Sequence, residues 1–279
     1  MRTIRDPSTL RTRVHAWKEA GDSVAVVPTM GALHPGHLSL IQAARAACNR
    51  VIVTLFVNPL QFNNPSDLDK YPRTETADAT LLEPHGVDVL FMPDAAVIYP
   101  PGFATTVSVA GLQDVLCGAH RPGHFDGVAT VVAKLLLMTG ADVSFFGEKD
   151  WQQVQIIRRM VSDLNIPVAV TACPTLREWD GLAMSSRNAR LTAADRLAAP
   201  TLNREMQRAA QAIAKGQPVQ PALNAARAAL LKAGFSEVEY LEMRGGEYLQ
   251  SLSVPAPGAR LFAAAWIGAI RLIDNIAIS

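Results

Sequence analysis

Ser23-Val24-Ala25-Val26-Val27-Pro28-Thr29-Met30-Gly31-Ala32-Leu33-His34-Pro35-Gly36-His37 decides the fold of this chain. The run 23–27 is short, apolar, rich in a β-branched residue and bounded by Pro28, the pattern of a buried parallel strand. A helix is expected to follow, because Pro35 suits a first turn whose N–H has no partner anyway, and Leu38, Leu40, Ile41 and Ala44 continue the apolar positions. Gly31 and Gly36 let backbone approach a ligand closely. Residues three apart share a helix face, so His34 and His37 both look over the free N–H groups of the helix start. The expected occupant is an anion, and a nucleotide phosphate fits best. Two other readings stand beside it: the His-x-x-His pair as metal ligands, for which no third ligand follows at a zinc-like spacing, and the histidines as capping or packing residues.

The rest of the chain narrows the classes. Its 279 residues suit two domains, or one domain with a substantial lid. A composition of 49% hydrophobic and 18% charged residues is that of a globular core rather than a disordered chain. A formal net charge of +1 gives no electrostatic footprint for nucleic acid. No apolar run is long enough to span a membrane: Lys134 interrupts 128–138, and Arg260 and Arg271 bracket the C-terminal stretch. The N-terminus lacks a signal-peptide apolar region, so a cytoplasmic location is expected. Cys48, Cys117 and Cys173 are widely spaced and read as reduced thiols without an assigned role. His15, His85 and His120 are expected at the surface.

Short apolar runs at 51–57, 88–92, 142–146 and 167–171 alternate with helical patterns at 76–83, 128–138 and 152–164. This alternation predicts a doubly wound α/β domain with a parallel sheet over residues 1–175. Past about residue 175 two alanine-rich helices, 193–214 and 221–233, precede strand-like segments at 237–243, 261–267 and 270–276, which predicts a smaller α+β domain over 176–279. Ligands of open parallel sheets sit beyond the strand carboxyl ends, and the polar candidates all fall there.

Asn58 and Gln61 follow the second run and bring neutral amides that can bond a hydroxyl or carboxylate, although Asn58 before Pro59 is also a turn signal. Gly147-Glu148-Lys149-Asp150 follows a later run. Gly147 is read as a turn residue, Lys149 as a point charge for a phosphate, and Gln153, one helical turn on, as facing the same pocket. Met184-Ser185-Ser186-Arg187 supplies hydroxyls and a guanidinium suited to charge growing on phosphate, and the same segment carries a capping signal. Arg121 and His124 flank a turn and either face the anion or brace the loop; the sequence leaves both open.

The 28–37 segment resembles the HIGH-type signature of the nucleotidylyltransferase superfamily, and 182–188 resembles its KMSKS-type loop. Taken in order with Phe56 to Phe62, Tyr71-Pro72-Arg73-Thr74, Arg121 to Phe125, Phe146 to Asp150 with Gln152-Gln153, and Leu272-Ile273-Asp274-Asn275, the chain is similar to the pantothenate synthetase family from the first strand to near its end. Met184 stands where some members have Leu. The resemblance implies a Rossmann-like catalytic domain with a C-terminal lid, a homodimer, and an ATP-dependent ligase that joins pantoate to β-alanine through pantoyl adenylate. It implies that Met30, Gly31, His34, His37, Gly147, Lys149, Asp150, Leu176, Met184, Ser185, Ser186 and Arg187 serve ATP, with Mg²⁺ assisting, and that Gln61 and Gln153, with Asn58 nearby, serve pantoate and β-alanine. A nucleotidyltransferase making a dinucleotide-type product and a non-catalytic nucleotide sensor are the alternatives. Gln61 and Gln153 suit a small hydroxy acid better than a phosphorylated acceptor.

Overall fold

Valine-rich strands and the helices between them build a six-stranded parallel sheet in the computed structural model, which describes residues 1–63, 68–69 and 71–278. The first half contains β1 (Arg2–Ile4), α1 (Pro7–Glu19), β2 (Val24–Thr29), α2 (Pro35–Ala47), β3 (Arg50–Leu55), α3 (Glu75–Leu82), β4 (Val89–Phe91) and two short helices, α4 (Ala95–Ile98) and α5 (Cys117–His120). It continues through α6 (His124–Thr139), β5 (Val143–Gly147), α7 (Trp151–Asp163) and β6 (Ala169–Cys173). The strand order is β1-β4-β3-β2-β5-β6, every pair parallel.

Alternate residues of each strand feed opposite faces. Val24, Val26, Ile52 and Phe91 pack with α1, α6 and α7, while Ala25, Val27, Val53 and Leu90 pack with α2. Both faces are therefore covered, as the continuous apolar runs require. Besides the short helices α4 and α5, two elements were not anticipated from the sequence. One is β1, only three residues long; the other is α1, whose start is marked by Asp6 accepting a 2.7 Å bond from the Thr9 N–H ahead of Pro7.

The remaining elements are α8 (Ala193–Ala198), α9 (Thr201–Ala214), α10 (Val219–Lys232), β7 (Glu237–Gly245), β8 (Ala259–Ile267) and β9 (Ile270–Ala277). The single helix expected over 193–214 is broken at Pro200, which has no N–H to give and whose ring opposes continuation. The three strands form an antiparallel sheet, β7-β8-β9. Leu241, Met243 and Leu261 pack against Leu202 and Met206 of α9 and Leu223 and Leu230 of α10. Tyr240, Phe262 and Ala264 instead join the core shared with α6 and α7. Among the described residues no helix is long and apolar enough to cross a membrane.

Candidate active site

The parallel sheet opens where its strand order reverses. β2 pairs with β3 as far as Thr29↔Leu55 and β5 pairs with β6 as far as Gly147↔Cys173, yet β2 and β5 pair only at Ala25↔Val143 and Val26↔Ser144. Beyond that level the two central strands part, and a cleft lined by Pro28, Thr29, Phe146 and Gly147 begins. This is the switch point at which open α/β sheets bind ligands. Pro28, expected to end the strand, sits inside it. Val24 directs its carbonyl toward the β5 side and Thr29 toward β3, so the N–H that Pro28 lacks would point where pairing has already ceased.

His34 is the N-cap of α2 and Pro35 its first residue. The His34 Nδ1 accepts from the Gly36 N–H at 3.1 Å, and the His37 Nδ1 accepts from the His34 N–H at 3.3 Å. An amide N–H can only donate, so both Nδ1 atoms carry lone pairs and each neutral ring keeps its proton on Nε2. Burial, followed by the Lys149 charge, lowers the His34 pKa; burial, followed by His34 and Lys149, pulls His37 down to about 3. Both are neutral imidazoles near pH 7, each with an Nε2–H to offer, and both line the cleft. Capping thus uses Nδ1 of each ring and leaves its Nε2–H unclaimed by the cap. Gly36 faces the cleft, and a Cβ there would meet the His34 ring at 2.8 Å.

Gly31 lies off the cleft lining. Its glycine is required by a φ of +82° and by the Asp78 carboxylate, 3.0 Å from where a Cβ would stand. Buried Asp78 accepts the Ala32 and Leu33 N–H groups at 2.9 and 2.8 Å, fixing the loop that delivers His34. Nothing in the local sequence marked Asp78 as the support of this loop, because the two N–H groups it holds there lie 46 and 45 residues away.

Lys149 and Asp150 occupy a turn after β5, 3.7 Å apart, and Gln153 faces the same cleft from α7. Gly147 has ordinary extended backbone and no atom within 4 Å of a notional Cβ, so it leaves space rather than making the turn expected of it. Opposite stand Pro174, Thr175, Leu176, Met184, Ser185, Ser186 and Arg187. Ser185 also caps a helical turn by accepting the Arg187 N–H at 3.2 Å, so the capping signal and the cleft position coexist.

At the other end of the cleft Asn58 is buried, with all four amide bonds filled. Its Oδ1 accepts from the Leu60 N–H and the Tyr99 hydroxyl, and its Nδ2 donates to the Gly127 carbonyl at 3.0 Å and to the Gln61 Oε1 at 3.1 Å. Asn58 lines the cleft as well, and it also supports Gln61: it turns the Gln61 oxygen toward itself and leaves the Gln61 Nε2–H₂ beside the Met30 sulfur. Gly127 must be glycine, since a Cβ would lie 2.4 Å from the Leu60 carbonyl. His124 donates from Nδ1 to the Gln61 carbonyl at 2.7 Å and accepts from Arg121 on Nε2 at 3.2 Å. Burial, with Arg121 beside it, lowers its pKa to about 3. Both residues brace the Gln61 loop while lining the cleft.

An apolar wall completes the lining: Phe56, Phe62 and Tyr71 with Val128, Val131 and Leu135 of α6. The sequence marked Phe56, Phe62 and Tyr71 within motif segments and 128–138 only as a helical pattern, and the packing reveals that one edge of α6 lines the cleft. Among the described residues no three side chains of metal-binding type converge, and Asp150 is the carboxylate that lines the cleft. Of the other histidines, His15 and His120 are exposed, His120 with its ring against Tyr240, and His85 is half-buried. All three cysteines are free and buried.

The pantoate-β-alanine ligase family profile matches residues 2–277. The chain belongs to the pantoate-β-alanine ligase family. It is 60% identical over 275 residues to a pantothenate synthetase of Cereibacter sphaeroides, covering 99% of both chains, and 57% identical to that of Ruegeria pomeroyi, covering 99% of this chain and 97% of the other. The crystal structure of pantothenate synthetase from Thermus thermophilus superposes with a TM-score of 0.93 at 44% identity, covering 100% of this chain and 99% of that one. A pantoate-β-alanine ligase from Francisella tularensis, complexed with β,γ-ATP and β-alanine, superposes with a TM-score of 0.84 at 35% identity, covering 99% and 97%. The family's α/β architecture with a small C-terminal antiparallel sheet is that of this chain.

Proposed function

We infer that this protein condenses pantoate with β-alanine at the expense of ATP, through pantoyl adenylate, releasing pyrophosphate and AMP. The observation that carries the site assignment is the convergence, at the β2/β5 switch point, of two Nε2–H imidazoles and Lys149 with a loop bearing Ser185, Ser186 and Arg187. A carboxylate is a poor acylating agent until one of its oxygens becomes part of a leaving group. A pantoate oxygen attacks the α-phosphorus, and the bond to pyrophosphate breaks. The β-alanine nitrogen then attacks the acyl carbon, losing a proton, and AMP departs with one former carboxylate oxygen.

Neutral donors suit this task, because they follow charge onto the departing pyrophosphate without themselves being protonated or deprotonated. Met30, Gly36 and Leu176 frame the nucleotide. Gln61, oriented by Asn58, and Gln153 hold the hydroxy acid, and the wall of Phe62, Val128 and Val131 receives its two methyl groups. Asp150 and the nucleotide's own phosphates would hold a Mg²⁺ that keeps most of its water, and the ion would supply charge neutralisation there. Residues 1–175 form the catalytic unit and 176–279 the smaller unit, which carries the Ser185–Ser186–Arg187 loop. The enzyme works in the cytoplasm as a homodimer.

Pantoate labelled with heavy oxygen in its carboxylate tests the route. Label recovered in AMP after turnover is the expected result. Label in inorganic phosphate, or in neither product, overturns it.

A further inference from the structure

We propose that Asp274 and Asn275, neighbours on β9, are positioning residues that set the gap between the two jaws of the phosphate site, the Lys149 turn and the Ser185–Arg187 loop. This rests on the assignment of those two segments to the ATP phosphates. The Asn275 Oδ1 accepts from the Arg260 Nε at 2.9 Å, and because guanidinium only donates, the amide can stand only one way round. Its Nδ2 then donates to the main-chain carbonyls of both Glu148 and Lys149, at 2.8 and 2.9 Å. Arg260 also reaches the Glu148 carboxylate at 3.3 Å, so the turn is gripped through main chain and side chain together.

Asp274 takes hold of the other jaw. It accepts both guanidinium nitrogens of Arg177, at 2.6 and 2.9 Å, together with the Asn203 amide at 3.2 Å. Arg177 in turn donates to the Gly181 carbonyl at 3.1 Å and pairs with Ala183, one residue before Met184. The Asp274 Oδ1 also accepts the Asn275 N–H at 2.8 Å, tying the two side chains to one peptide. Both residues are nearly sealed from water, at 4% and 3% exposure. A paired β-strand is stiff, and it carries one anchor for each jaw on adjacent residues. The spacing between Lys149 and the serine loop is therefore fixed from the C-terminal sheet, by groups that touch no substrate.

The test separates the two half-reactions. Asn275→Asp keeps the size but turns two donors into a carboxylate facing two carbonyls; Asp274→Asn keeps the size and gives up the charge that holds Arg177. Each is compared with the parent and with Lys149→Ala for pantoate-dependent pyrophosphate release, and for conversion of supplied pantoyl adenylate with β-alanine, which needs no grip on pyrophosphate. The expected result is a loss of about tenfold to a hundredfold in pyrophosphate release, as for outer residues that orient ligating groups, with the second half-reaction within about twofold of the parent. An equal fall in both half-reactions marks a merely structural role and overturns the proposal, as does unchanged pyrophosphate release in folded variants. If one variant does not fold, the other is read alone. Should Lys149→Ala itself release pyrophosphate normally, the phosphate assignment fails rather than the bracing.

Discussion

Two backbone N–H groups decide what His34 and His37 can offer. By claiming Nδ1 of each ring, the first turn of α2 leaves Nε2–H as the free donor, and burial keeps the rings uncharged. Removing a preorganised donor at growing negative charge costs about two to three orders of magnitude in rate. His37→Ala and Lys149→Ala should each lower pantoate-dependent pyrophosphate release by that amount, far more than they lower folding stability measured by denaturant unfolding. A well-folded variant that forms adenylate at the normal rate removes that residue from the phosphate site. The spacing of the histidines was legible in the sequence. Which nitrogen faces the cleft was not, because it depends on the backbone geometry of the helix cap.

At the scale of elements, the turn from Arg177 to Met184 behaves as a stem. Arg177 and Ala183 pair across it, Gly181 takes a φ of +92° that side chains rarely adopt, and Arg196 clamps Glu178 and Asp180 at 2.6 and 2.5 Å. Beyond it Ser185, Ser186 and Arg187 line the cleft, and Met184 comes to 3.7 Å from the notional Gly36 Cβ over the start of α2. A closing segment that shields an acyl adenylate from water is the role this suggests. Amide hydrogen exchange at 184–187 should slow when ATP saturates the enzyme, while the 177–183 stem changes little. Equal protection with and without ATP rules out closure. The loop's composition pointed to phosphate chemistry, whereas its bracing came from Arg196 and Asp274, residues whose proximity no local pattern encodes.

Across the whole molecule, burial of neutral histidines couples folding to pH. His37 and His124 have folded pKa values of about 3, against the usual 6.5 that applies once the chain unfolds. Between those values the unfolded chain binds protons that the folded one refuses, so stability is full above about pH 6.5 and falls as the pH drops. From pH 7.5 to 5.0 one such group costs about 2 kcal/mol. His124→Asn should lose about that much less stability than the parent over this interval, measured by denaturant unfolding at both pH values; an identical loss in the two proteins refutes the buried-neutral assignment. The sequence by itself determined the alternation of strands and helices, the parallel sheet, the order of the site motifs and their place at the strand ends, because periodicity and turn chemistry are local. It could not determine where β2 and β5 separate, which edge of α6 meets a cleft, that Asn58 serves Gln61, or that Asp274 and Asn275 reach back to Arg177 and Lys149. Those depend on contacts between residues up to 127 positions apart, and such contacts exist only once the chain has packed.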